Sequence, residues 1–156
     1  AAFEALIAFN ASFADAETTI ASNPRLPIHF ACEANAAGIV ARLLSIQPAL
    51  AQASTKRDGM LPIHLACSFN ATAVVDLLLA HDERQAGART TGSALPVTPL
   101  HLAAAANADS LVDKLLAIDP AFATVRALSG LAGDYTTRPA LAARLLFLGM
   151  LAPSNQ

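Results

Sequence analysis

The strongest constraint on this chain is a phrase it carries three times. "RLPIHFACEANAA" begins at Arg25, "MLPIHLACSFNAT" at Met60 and "VTPLHLAAAANAD" at Val97. A period of this size marks an array of short structural units rather than one intricate core. Anchored on proline, the copies start at Pro27, Pro62 and Pro99, and a weaker fourth starts at Pro139, in steps of 35, 37 and 40 residues. Eight residues after each of the first three prolines stands an asparagine: Asn35, Asn70 and Asn107. Two apolar pairs follow each asparagine, as in Ile39-Val40 and Leu43-Leu44 of the first copy.

These positions describe one unit. Proline suits the first turn of a helix, where its missing N–H costs nothing. The short helix that follows has alanine where packing is closest, at Ala31, Ala66 and Ala103. Asparagine tolerates the left-handed conformation that stops a helix and turns the chain. The second helix carries apolar residues at i, i+1, i+4 and i+5, a stripe too wide for a single partner. Such a helix is sandwiched between its own neighbour and the next unit, so the copies must stack.

Composition narrows the alternatives. The net charge is -2 and no basic patch is present, which speaks against nucleic acid as a partner. Charged residues make up 14% of the chain, against about 25% in an average soluble protein, and apolar residues 54%. A membrane span is therefore worth testing, but the most apolar stretch, "PALAARLLFLGMLA" from Pro139, is interrupted by Arg144 and shorter than the roughly 20 residues a spanning helix needs. The expectation is a soluble chain that buries much of its surface against itself or a partner. The first residue is Ala rather than Met, so a processed product or a fragment is expected. Asn10-Ala-Ser12 and Asn70-Ala-Thr72 fit the glycosylation sequon, which alone is weak evidence.

Three histidines and two cysteines could carry chemistry. His29, His64 and His101 recur once per unit. Ligands of one metal ion lie about 2 Å from it, whereas equivalent residues of stacked units are about 8–10 Å apart, so the histidines cannot share a metal. The same spacing separates Cys32 from Cys67 and excludes a disulfide, leaving two small buried thiols. No Gly-rich phosphate loop, paired carboxylate or nucleophile with an orienting base and oxyanion site stands out. The expectation is no catalytic residue, no metal, no cofactor and no small-molecule substrate.

"VTPLHLAA" resembles the ankyrin-repeat signature Thr-Pro-Leu-His-x-Ala, and "DGMLPIHLAC" from Asp58 resembles a variant of it with its preceding turn. The likeness runs from Asn23 to Asp119. Glu4 to Ala14 resembles the second helix of a unit whose first half is missing, and the pattern decays after Pro139. The implied fold is all-α: an ankyrin-repeat α-solenoid of stacked helix-turn-helix units with projecting turns, in a single domain. Its expected segments are a half-repeat over 1–22, repeats over 23–57, 58–94 and 95–123, and a long turn with a degenerate repeat over 124–156. The resemblance makes His29, His64 and His101 structural, as hydrogen-bonding pegs between a helix and the neighbouring turns. One departure stands out. Leu26 and Leu61 replace the Thr that caps the first helix, and only Thr98 conforms; the expected loss is about 0.5–2 kcal/mol of capping in each of the first two repeats.

The resemblance also implies a protein-binding surface on the concave side, formed by the turn tips and the exposed positions of the first helices. The expected contact residues are Arg25, Arg57, Asp58, Met60 and Val97 at the turns, and Glu33, Ser68 and Phe69 on the helices. Ordinary solvation suits Ser68; it suits Met60 and Phe69 less, because an exposed apolar strip commonly marks a partner. A second candidate is Tyr135, between Arg126 and Arg138 in the insert from Ala123 to Arg138. A third is the apolar end around Leu146 and Phe147, which would dock onto another protein or, through a complex, a membrane surface. Two functions follow: an adaptor that recruits a protein partner, or a permanent subunit of a large assembly. The expected compartment is cytoplasmic, or an organelle such as the chloroplast for a processed chain inside a complex.

Overall fold

The computed structural model describes residues 14, 16–17, 24–92 and 96–118. Among them are six α-helices and no strand. They come in pairs: α1 (Pro27–Glu33) with α2 (Ala37–Ile46), α3 (Pro62–Ser68) with α4 (Thr72–His81), and α5 (Pro99–Ala105) with α6 (Asp109–Ile118). A short 3-10 helix extends α2 over Pro48–Gln52 and another extends α4 over Glu83–Gly87. The first helices stack on one another, α1 on α3 and α3 on α5, and each packs on its own second helix. The three units thus form the expected solenoid, with α1, α3 and α5 as an inner row and α2, α4 and α6 as an outer row.

Proline opens each inner helix at its first turn. Each inner helix is stopped by its asparagine in the left-handed region: φ is 51° at Asn35, 53° at Asn70 and 58° at Asn107. Around each asparagine the chain closes a two-bond cap. In the second unit Ala71 N–H reaches Ala66 C=O at 2.8 Å and Asn70 N–H reaches Cys67 C=O at 3.2 Å. These bonds occupy carbonyls that the end of a helix would otherwise leave bare. The core lies between the rows: Ile28, Val40 and Leu43 in the first unit, Ile63, Val74 and Leu78 in the second, and Ala103, Leu111 and Leu115 in the third, all fully buried.

The turns between units share one clasp. Thr55 N–H donates to Met60 C=O at 2.9 Å, and Met60 N–H donates to the Thr55 hydroxyl at 3.0 Å. Thr90 and Val97 repeat the pattern at 3.0 and 2.9 Å. The second turn holds two more residues between its clasped ends than the first. Gly59 has φ +61°, and a Cβ there would fall 2.4 Å from Gly92 N. The two turns are therefore in backbone contact at these glycines, which holds consecutive turns side by side.

Leu26 and Leu61 make no side-chain cap, as their missing acceptor implies, but the third N–H of each helix finds a backbone partner. His29 N–H donates to Leu26 C=O at 3.0 Å, and His64 N–H donates to Leu61 C=O at 3.0 Å. Leu26 N–H and Leu61 N–H donate to Nδ1 of His29 and His64, at 3.0 and 3.1 Å, as Thr98 N–H does to His101. Both leucines are half-buried against the core, so the side chain that cannot cap still contributes packing.

Candidate functional site

The histidines form the rigid frame of the inner row. Nδ1 of each accepts the N–H of the residue before the helix; at His101 the donor is Thr98 N–H at 3.2 Å, with the Thr98 hydroxyl 2.8 Å from the same nitrogen. The other ring nitrogen of His29 donates to Ala53 C=O at 2.9 Å, and that of His64 to Ala88 C=O at 3.2 Å. Both acceptors are 24 residues further on, at the root of the next turn. All three rings are buried. Burial holds the pKa of His29 and of His64 below the ordinary histidine value, against the upward pull of their backbone hydrogen bonds. Cys32 and Cys67 are free, buried thiols whose pKa burial pushes up to about 12. They stay protonated at neutral pH, the form that is a poor nucleophile.

The exposed side of the inner row is located by one ion pair. The Arg25 guanidinium meets the Glu33 carboxylate, joining the residue two before the opening proline of α1 to its last turn. Positions 25 and 33 therefore lie on one face, within the reach of one arginine side chain. The repeat places Met60 and Ser68 at the same positions in the second unit and Val97 and Ala105 in the third. The floor of the inner face thus changes along the array from a salt bridge to short and apolar side chains. Beside Ser68, at the end of α3, Phe69 is 56% exposed.

Two expectations about this face need correction. Met60 and Val97 are not turn tips. The threonine clasps fix both at the base of their turns, and both are half-buried, with Met60 packed on the core. The tip of the first turn is Lys56, Arg57 and Asp58, with Arg57 Nε 3.8 Å from Asp58 Oδ1 and the Arg57 side chain 68% exposed. Arg25 and Glu33 are half-buried and engaged with each other rather than separately solvated. Ser68 is half-buried at the last residue of α3. Tyr135, Leu146 and Phe147 lie outside the described residues.

Three features escaped the sequence reading. Phe30 on α1 is the other exposed large apolar side chain among the described residues, at 42%. Its signal was a Phe where the second and third units carry Leu65 and Leu102. Thr55 and Thr90 are buried turn clasps, betrayed only by a threonine recurring at an interval of 35 residues. Gln85 is also buried, with neither amide atom hydrogen-bonded, where the first unit has Leu50.

Known proteins place this architecture. A family model for ankyrin repeats, in three copies, matches residues 1–90 and again 28–127. No curated protein matches the chain. Ankyrin repeats are generally protein–protein interaction modules. With the stacked helix pairs, the histidine pegs and a match across most of its length, the chain belongs to the ankyrin-repeat family.

Proposed function

We propose that this chain is a non-catalytic module that holds a protein partner on its inner face, between the turns and the exposed side of α1, α3 and α5. The observation that carries the reading is Phe69: a large apolar ring, 56% exposed, beside the short side chains of the inner row, where among the described residues only Phe30 is comparably exposed. Covering such a ring contributes about 1.5–3 kcal/mol, and aromatic side chains in a concave setting are favoured anchors of interfaces. The buried thiols and the pegged, neutral histidines leave the described part of this face without an activated nucleophile, which supports the non-catalytic reading.

The test uses a photo-crosslinking amino acid at position 68 on the inner face and, separately, at position 80 on the exposed side of α4. A discrete protein adduct from position 68, identified by mass spectrometry and lost in Phe69→Ser, is the expected result. Equal labelling from both positions would sink the inner-face reading.

A further inference from the structure

The described charges are divided between the two sides of the array. The inner side carries four cations, Arg25, Lys56, Arg57 and Arg89, against three carboxylates, Glu17, Glu33 and Asp58. The outer helices and their 3-10 extensions carry five carboxylates against three cations. Three of these cations meet a carboxylate within the chain: Arg25 with Glu33, Lys56 with Glu17 at 2.6 Å, and Arg57 with Asp58 at 3.8 Å. Arg57, whose side chain stays 68% exposed beside Asp58, and Arg89 are both exposed and belong to adjoining turns. The two turns touch at the backbone: a Cβ on Gly92, three residues beyond Arg89, would fall 2.6 Å from Arg57 C=O. The molecule as a whole is acidic, with a net charge of -2, so this pair is a local reversal of sign.

Resting on the inner-face reading, we infer that the partner segment is an acidic peptide carrying an apolar side chain, its carboxylates at Arg57 and Arg89 and its apolar group against Phe69. The two ends of such a segment are matched by the spacing of the face. The Arg25–Glu33 pair shows that one long side chain spans the distance from a turn to the last turn of an inner helix. In the second unit the corresponding span is floored by Met60 and Ser68 and ends at Phe69. A few residues of extended peptide cover it. Guanidinium groups pair with carboxylates through two parallel hydrogen bonds, which gives geometric selectivity as well as attraction. Exposed pairs are individually weak and screened by salt, so the apolar contact supplies affinity and the arginines select sign and speed association. The outer side, with its excess of carboxylates, repels the same segment.

The inference is tested on the full chain by fluorescence anisotropy with three short fluorescein-labelled peptides. One has a Leu-Phe centre flanked by Glu and Asp; in the second the flanks are Lys; in the third the centre is Ser-Ser. The first is expected to bind, at least about tenfold more tightly than the other two, which corresponds to about 1.4 kcal/mol. The double substitution Arg57→Glu with Arg89→Glu is expected to weaken it at least about tenfold, and so is Phe69→Ser, with helical circular dichroism unchanged. Arg57→Gln with Arg89→Gln provides a milder pair should the reversal disturb the turns. Preference for the Lys-flanked peptide, for oligothymidine or for phosphatidylserine vesicles would overturn the inference, as would indifference to the arginine substitutions. If no peptide binds while position 68 still gives its adduct, the acidic class is wrong and the inner face stands. If the adduct fails as well, the face itself is wrong.

Discussion

A histidine that accepts at one ring nitrogen and donates at the other serves only in one protonation state. Leu26 N–H points at Nδ1 of His29, so the proton of the neutral ring sits on Nε2 and is given to Ala53 C=O; His64 repeats this with Leu61 and Ala88. Protonating Nδ1 would set two donors against each other and place a charge in a buried site. Burial, the larger cause, holds both pKa values below the unfolded value of about 6.5, so below that pH the unfolded chain takes up protons that the folded chain refuses. The contribution of the two rings is complete above about pH 6.5 and is lost as the pH falls below it. Urea midpoints are expected to drop between pH 7.5 and pH 5.5, and His64→Gln should reduce that drop. A midpoint that is flat over this window, or the same slope in His64→Gln, contradicts the assigned tautomer. The role of a peg was legible in the sequence because the histidines recur with the proline. Their acceptors were not: a backbone carbonyl 24 residues away carries no side-chain signature, and Ala53 and Ala88 look like any other alanines.

At the scale of the element, the asparagine eight residues after each proline was legible because its chemistry is local. It stops the helix by taking φ values of 51° to 58°, and the next residue closes the helix end onto its last turn. Asn70→Ala keeps the bonds available but forces a Cβ-bearing residue without a compensating amide into the left-handed region, at a cost of about 1–2 kcal/mol. Asn70→Gly removes that strain and is expected to be neutral or mildly stabilising. Thermal melts of the two variants should therefore move apart, alanine lower; equal melts would mean that the turn adjusts elsewhere. The turns between units were read less well for an equally physical reason. Their register is set by Thr55 and Thr90, whose hydroxyls and amides clasp Met60 and Val97, and a threonine recurring after 35 residues does not by itself show which backbone groups it holds. Met60 was consequently assigned to a tip when it lies at a base. Leu26 and Leu61 were expected to cost a cap because the sequence shows the missing threonine but not that the third helical N–H bonds the backbone C=O of the same leucine.

Across the whole array, the units are not joined equally. The inner helices stack continuously, but the outer helices do not: α2 packs on α4, whereas α4 and α6 scarcely touch. The second and third units are tied on that side by the Lys114–Asp76 ion pair and by the 3-10 helix Glu83–Gly87, which meets both α5 and α6. Exposed ion pairs contribute little, about 0–1 kcal/mol. The 3-10 helix brings Gln85, 2% exposed with neither amide atom bonded, to a position that Leu50 fills with hydrocarbon in the first unit. An unsatisfied buried amide costs about 1–3 kcal/mol, so the second junction carries a penalty that the first does not. In a one-dimensional array, such a junction is where cooperativity breaks. Amide exchange in α5 and α6 is accordingly expected to outpace that in α1 to α4 under native conditions. Gln85→Leu restores the residue of the first unit and should raise the urea midpoint, by about 1–3 kcal/mol in stability, with the gain in protection concentrated in α5 and α6. A destabilised variant would show that the Gln85 amide is satisfied in solution. Protection rising evenly over all six helices would show a single cooperative unit, with no weak junction between the second and third repeats.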